Sequence, residues 1–180
     1  MSIGLFLIQF KDDKIIVAMK PSDVIRRIIA RPDETNHDIN HLLKVFSYAK
    51  TIGEGENLDA KTQYTLELAA IVHDISCPFC RAKYGNANGK YQEAESEHIL
   101  RDFFKDTDIE QTTLERIIYL VSHHHTVIGV TSIDHQILLE ADYLVNAEEH
   151  NESKENIRNT MKSLFKTDTG IELLKNVFRL

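Results

Sequence analysis

The run Leu66–Asp74, LELAAIVHD, is apolar at nearly every position and closes on two ionisable residues, His73 and Asp74. A helix that is apolar all round must be surrounded by other elements, so the chain has to wrap further helices around it. Placing an imidazole and a carboxylate at the end of such a helix needs a reason, because burying a charge without a partner is costly. Adjacent helical residues point about 100 degrees apart and cannot share a face, yet both can reach a cation lying beside the helix end. Imidazole with carboxylate suits Zn, Mn or Fe better than Ca. Taken alone, the pair leaves an equally good alternative open: a histidine satisfied by the adjacent acid or by a backbone carbonyl.

From Pro21 onward apolar residues recur at helical spacing, predicting helices over about 21–31, 36–54, 59–75, 92–105, 109–125, 132–149, 152–166 and 168–178. Asn36, Asp59, Asp108, Ser132 and Asn151 stand where side-chain oxygens would cap first turns. The segment Cys77 to Lys90, with Pro78, Gly85 and Gly89, lacks helical periodicity and reads as a loop beside any site at His73 and Asp74. Ahead of Pro21, LFLIQF and IIVAM flank KDDK in the pattern of a short β-hairpin. The expected fold is all-α, a helical bundle with a short N-terminal hairpin: an N-terminal extension over 1–20 and a single domain over 21–180. The chain's 180 residues are enough for one core and too few for two ordinary domains.

A net charge of -7 disfavours broad binding to a nucleic acid polymer or an anionic membrane. A phosphorylated substrate would then need a local positive charge, which a bound metal supplies. The early apolar stretch GLFLIQF is broken by KDDK and has no basic region before it, so neither a signal peptide nor a transmembrane helix fits and a cytoplasmic setting is expected. Cys77-Pro-Phe-Cys80 resembles the redox site of glutaredoxins over four residues. That motif belongs between a strand and a helix, whereas here it follows a helix; in a reducing cytosol, two free thiols are expected.

Other predicted core helices also carry ligand-type residues: His41 stands in NHLLKVFSYA, Asp142 in ILLEADYLVNA, and His123, His124 and His125 end LERIIYLVSHHH. Together with His73-Asp74 they put His, His-Asp, His-His-His and Asp on four separate helices, the way helical bundles build one interior metal centre.

The order His41, then His73-Asp74, then Asp142 resembles the H…HD…D signature of the HD superfamily. His41-Leu-Leu-Lys-Val is similar to that family's H-x-x-R/K-V opening, ELAAIVHDI to its helix ending in HD, and EADYLVNA to its final helix. The resemblance implies an HD-domain helical bundle holding one or two divalent ions (Mn, Fe, Zn, Co, Ni or Mg) and hydrolysing a phosphate ester, often in a nucleotide. It makes His41, His73, Asp74 and Asp142 ligands of a first metal, with Asp74 also the catalytic residue that steers water. His124 and His125 match the paired histidines of two-metal members, and His98, with Glu95 nearby as a substitute, falls about where those members place another ligand. Lys83 and Lys90 are candidates for contacting substrate phosphates. His37 and Asp38 form a second HD dipeptide, read as a helix turn or an outer partner of His41. His123 would orient its neighbours or touch substrate, and His135 and His150, in polar surroundings, are set aside.

The chain also departs from the family's better-defined branches. Ile75-Ser76-Cys77-Pro78 replaces the acid that follows HD in nucleotidase-like and alarmone-hydrolase-like members, and TVIGV rather than Gly-Tyr-Pro follows His125. The substrate stays open, a small phosphorylated molecule being expected, with a homodimer as the candidate assembly. A di-iron HD oxygenase and a metal-binding regulatory module without catalysis are the alternatives.

Overall fold

The structure, a computed structural model, describes residues 8–11, 14–17 and 19–180. Strands β1 (Ile8–Lys11) and β2 (Lys14–Val17) form an antiparallel hairpin that pairs Ile8 with Val17 and Lys11 with Lys14. Helices follow in the order α1 (Pro21–Ile29), α2 (Asn36–Gly55), α3 (Ala60–Val72), α4 (Cys77–Tyr84), α5 (Gly89–Phe104), α6 (Gln111–Val121), α7 (Ile133–Glu149), α8 (Lys154–Leu164) and α9 (Asp168–Phe178). The chain is all-α with a short N-terminal hairpin, as its periodicity predicts.

Helix α3 is the axis of the bundle. Every residue from Thr65 to Val72 is buried, and α1, α2, α6 and α7 pack on it from different sides. Its one buried charge, Glu67, is satisfied by Lys50 Nζ at 2.8 Å and Gln63 Nε2 at 2.9 Å. Asp59 starts α3 by accepting hydrogen bonds from the Lys61 and Thr62 amides. Helix α2 also packs along α7, so α2, α3 and α7 meet pairwise and enclose a shared interior.

Cys77 to Lys90 is not a loop. Cys77–Tyr84 is helical, and the residues that argued against helix mark its borders instead. Pro78 occupies the first turn of α4, where an amide has no helical partner to lose. Gly85 caps the far end with φ of 74°, the left-handed backbone that glycine adopts freely. Several caps also shift from their expected places. Thr35 rather than Asn36 caps α2, because Thr35 and Asp38 exchange side-chain and backbone hydrogen bonds in a reciprocal box. Ser153 rather than Asn151 caps α8, and Glu110 rather than Asp108 precedes α6.

The largest shortfalls at a helix C-terminus are in α3, which ends at Val72 rather than 75, and in α6, at Val121 rather than 125. In both places the chain turns through i to i+3 hydrogen bonds, Ile75 N to Val72 O at 3.1 Å and His123 N to Leu120 O at 3.3 Å. His73, Asp74 and the three consecutive histidines therefore stand on the tight turns that end buried helices.

Glu140, fully buried on α7, ties the C-terminal helices to the bundle. Its carboxylate accepts from Gln136 Nε2 at 2.7 Å, from the Lys166 amide at 2.7 Å, and from the Thr167 amide and hydroxyl at the start of α9. Glu140→Ala should orphan these buried donors and lower unfolding free energy by about 1–3 kcal/mol. Urea denaturation of the variant against the natural chain measures it, and an unchanged midpoint would refute the tie.

Candidate metal centre

The last carbonyls of a helix lack amide partners, and the turns that end α3 and α6 offer them imidazole N–H groups instead. His73 Nδ1 donates to the Ala70 carbonyl at 2.9 Å, and His124 Nδ1 donates to the Val121 carbonyl at 2.6 Å. A carbonyl oxygen only accepts, so in each neutral ring the proton sits on Nδ1 and Nε2 keeps its lone pair. His41, inside α2, turns its Nδ1 to Glu149 Oε2 at 2.9 Å and so also presents Nε2 inward.

These Nε2 atoms converge with two carboxylates. His41 Nε2 lies 3.2 Å from His73 Nε2, and Asp142 Oδ1 is 3.3 Å from the first and 3.5 Å from the second. Asp74 Oδ2 stands 3.7 Å from both rings, while its other oxygen, Oδ1, stands 3.4 Å from His124 Nε2. The ligand atoms of His41, His73 and Asp142 lie within 4.8 Å of one another, as do those of Asp74, His124 and His125. Asp74 lies between the two groups, one oxygen toward each.

This donor set fits divalent metal. Three imidazole lone pairs and two carboxylates face one interior, the ligand chemistry of Zn, Mn and Fe. His124 Nε2 is buried and makes no hydrogen bond among the described residues, an orphan that a cation would satisfy.

Electrostatics point the same way. Burial disfavours the carboxylates of Asp74 and Asp142, but the surrounding imidazoles outweigh it and hold both well below the usual carboxylate range. Burial also opposes the imidazolium of His41, yet Asp142, Asp74 and Glu149 push it up to about 9. His124 is raised by Asp74 against its own burial, and His125 is pushed down to about 4 by burial and by His124. Without metal, a proton on His41 neutralises part of this anionic interior.

The other candidates fall in varied places. His98 is 58% exposed, stacks edge-on against Phe79 and is not brought to His124 and His125. Glu95 is also occupied elsewhere, accepting from Lys83 Nζ at 2.7 Å and from the Tyr84 hydroxyl. Lys83 and Lys90 flank the stacked pair Tyr84 and Tyr91; Lys83 is held by Glu95, whereas Lys90 Nζ lies over the Tyr91 ring at 4.7 Å. Beside Lys90, a Cβ on Gly89 would come within 2.7 Å of the His125 ring, so α5 starts in direct contact with that histidine. His37 is 70% exposed on the His41 side of α2, its Nε2 3.9 Å from Glu149. His123 stacks on Tyr119 and donates from Nδ1 to the Tyr119 carbonyl.

His135 does not lie in polar surroundings. It is buried, and its Nε2 donates to the His123 carbonyl at 2.9 Å, fastening the histidine turn to α7. Its polar sequence neighbours disguised this: Asp134 and Gln136 are buried as well, Asp134 paired with Arg116 and Gln136 with Glu140. His150, by contrast, is exposed at the end of α7. Cys77 and Cys80 are free and buried, and burial raises both thiols, which leaves them without the activation that redox cysteines need.

Sequence reasoning passed over Asn146 and Glu149. Asn146 Nδ2 donates to Asp142 Oδ1 at 2.8 Å, and Glu149 accepts from His41. Their signal was present: they follow Asp142 by four and seven residues, the spacing of one helix face.

The raised His41 stabilises the metal-free fold fully below its unfolded value of about 6.5 and loses that contribution as pH rises through about 9. The lowered Asp74 and Asp142 contribute above about 4 and lose their contribution on acidification. The lowered His125 loses its contribution as pH falls from about 6.5 through about 4, so chelator-treated protein should melt highest near about pH 6.5 and at falling temperature toward pH 9. His41→Gln should flatten the alkaline limb, and a natural chain whose Tm is level from pH 6.5 to 9.5 would contradict the arrangement.

Among curated proteins none matches the sequence. The crystal structure of a predicted HD superfamily hydrolase from an uncultured Thermotogales bacterium shares the fold, with a TM-score of 0.61 and 20% identity over 88% of this chain and 83% of that one. The family profile of the HD domain matches residues 38–147, from the start of α2 to the end of α7, and so takes in His41, His73, Asp74, His124, His125 and Asp142. The chain belongs to the HD domain family.

Proposed function

We propose that the protein is a metal-dependent phosphohydrolase acting on a small phosphate ester, with a nucleotide as the leading candidate. The observation that carries this reading is the placement of Asp74, whose two oxygens face separate histidine groups. The description of the Thermotogales protein as a predicted hydrolase agrees with it.

His41, His73, Asp74 and Asp142 would hold one ion, and Asp74, His124 and His125 a second. Such ions, when bound, lower the pKa of water and neutralise charge developing on a phosphoryl group. The chain's own part is orientation and proton handling. Asp74 has 29% of its side chain exposed, so it can accept a hydrogen bond from the attacking water and align it. Backbone carbonyls and Glu149 fix the rings, which keeps their lone pairs aimed before substrate arrives. Lys90, beside the exposed His125, offers a mobile positive charge for a substrate phosphate, while Lys83, already paired with Glu95, is the weaker candidate.

Purified protein stripped of metal and resupplied with Mn, Co or Ni should release phosphate from an aryl phosphate or from a member of a nucleotide panel. His73→Ala and Asp74→Ala should lose bound metal and reduce turnover by more than about 100-fold. Retained metal in both variants would refute the site. Metal binding without cleavage of any phosphoester would turn the reading toward a di-iron oxygenase or a regulatory binding module.

A further inference from the structure

The three inward-facing imidazoles are not anchored alike. His73 and His124 stand just beyond helix ends, where free backbone carbonyls accept their Nδ1 protons. His41 stands within the first half of the 20-residue α2, where carbonyls are already engaged in the helix. Its ring is fixed instead by a group from another element, Glu149 at the end of α7, 2.9 Å from Nδ1 and 17% exposed.

We propose that Glu149 is the positioning residue of the metal centre: it selects the His41 tautomer with a bare Nε2, holds the ring toward His73 and Asp142, and thereby sets metal affinity. This rests on the reading of His41 as a metal ligand. A carboxylate partner differs from the carbonyls behind His73 and His124 in two ways. It carries a full charge, which strengthens the donor power of the ring beyond it. It also belongs to a different helix from the histidine, so the hold on metal depends on how α2 packs against α7. Lys44, one turn after His41, lies 3.6 Å from the other Glu149 oxygen and braces the carboxylate from the solvent side. A competing role is purely structural: Glu149 could matter only as the α7 end of an ion pair with Lys44.

The test is a set of metal dissociation constants, measured by competition between Mn or Zn and a chromogenic chelator. Glu149→Ala should weaken binding by about 10–100-fold. Glu149→Gln, whose amide oxygen still accepts from Nδ1, should lose less, and Lys44→Ala should change affinity little. In a His41→Ala background Glu149→Ala should add no further loss, because its effect passes through that ring. The proposal is overturned if Glu149→Ala binds metal like the natural chain, or if it weakens binding equally with and without His41. Thermal melts of the metal-free variants show whether each is folded. Unchanged affinity in His41→Ala alone would remove the ligand assignment, and the inference with it.

Discussion

A buried helix must satisfy the carbonyls of its last turn, and in this protein histidine side chains do so. His73 covers the Ala70 carbonyl and His124 covers the Val121 carbonyl, each from a turn tightened by i to i+3 bonding. One hydrogen bond thus finishes a helix and also decides which ring nitrogen is left bare. The two rings stand 5.3 Å apart between centroids, and their bare nitrogens face the carboxylates of Asp74 and Asp142. The packing of the core and the geometry of the centre follow from this local requirement.

The electrostatic consequence is a concentration of ionisable groups in a place where a neutral core would be more stable. The two carboxylates stay charged because imidazoles surround them, and His41 takes a proton to Asp142 and Glu149. Such an arrangement makes sense as a receptacle for positive charge. On a chain with a net charge of -7, a cation there would give the proposed phosphate ester somewhere to bind.

What was legible in the sequence was whatever depended on apolar periodicity. The helices, and the four ligand-type residues embedded in core-facing stretches, could be read because a polar group inside an apolar run is conspicuous. Proline and glycine were misread around α4, since Pro78 and Gly85 punctuate a helix from its ends as readily as they break one. His98 was placed by the family resemblance, and His135 by the polarity of its sequence neighbours. In three dimensions His98 faces solvent beside Phe79, whereas His135 is buried together with its polar neighbours Asp134 and Gln136, which pair with Arg116 and Glu140. Glu149 was passed over for a different reason: its spacing of seven residues from Asp142 puts it on the same helix face, but spacing alone does not say that it meets a histidine 108 positions earlier.

The central claim is that Asp74 is shared between two metal positions. Crystals soaked in Mn and measured at the Mn absorption edge test it most directly. Anomalous peaks should appear among His41, His73, Asp74 and Asp142 and between Asp74, His124 and His125, with one Asp74 oxygen toward each. A single peak bound without Asp74, or peaks only at surface carboxylates, would contradict it.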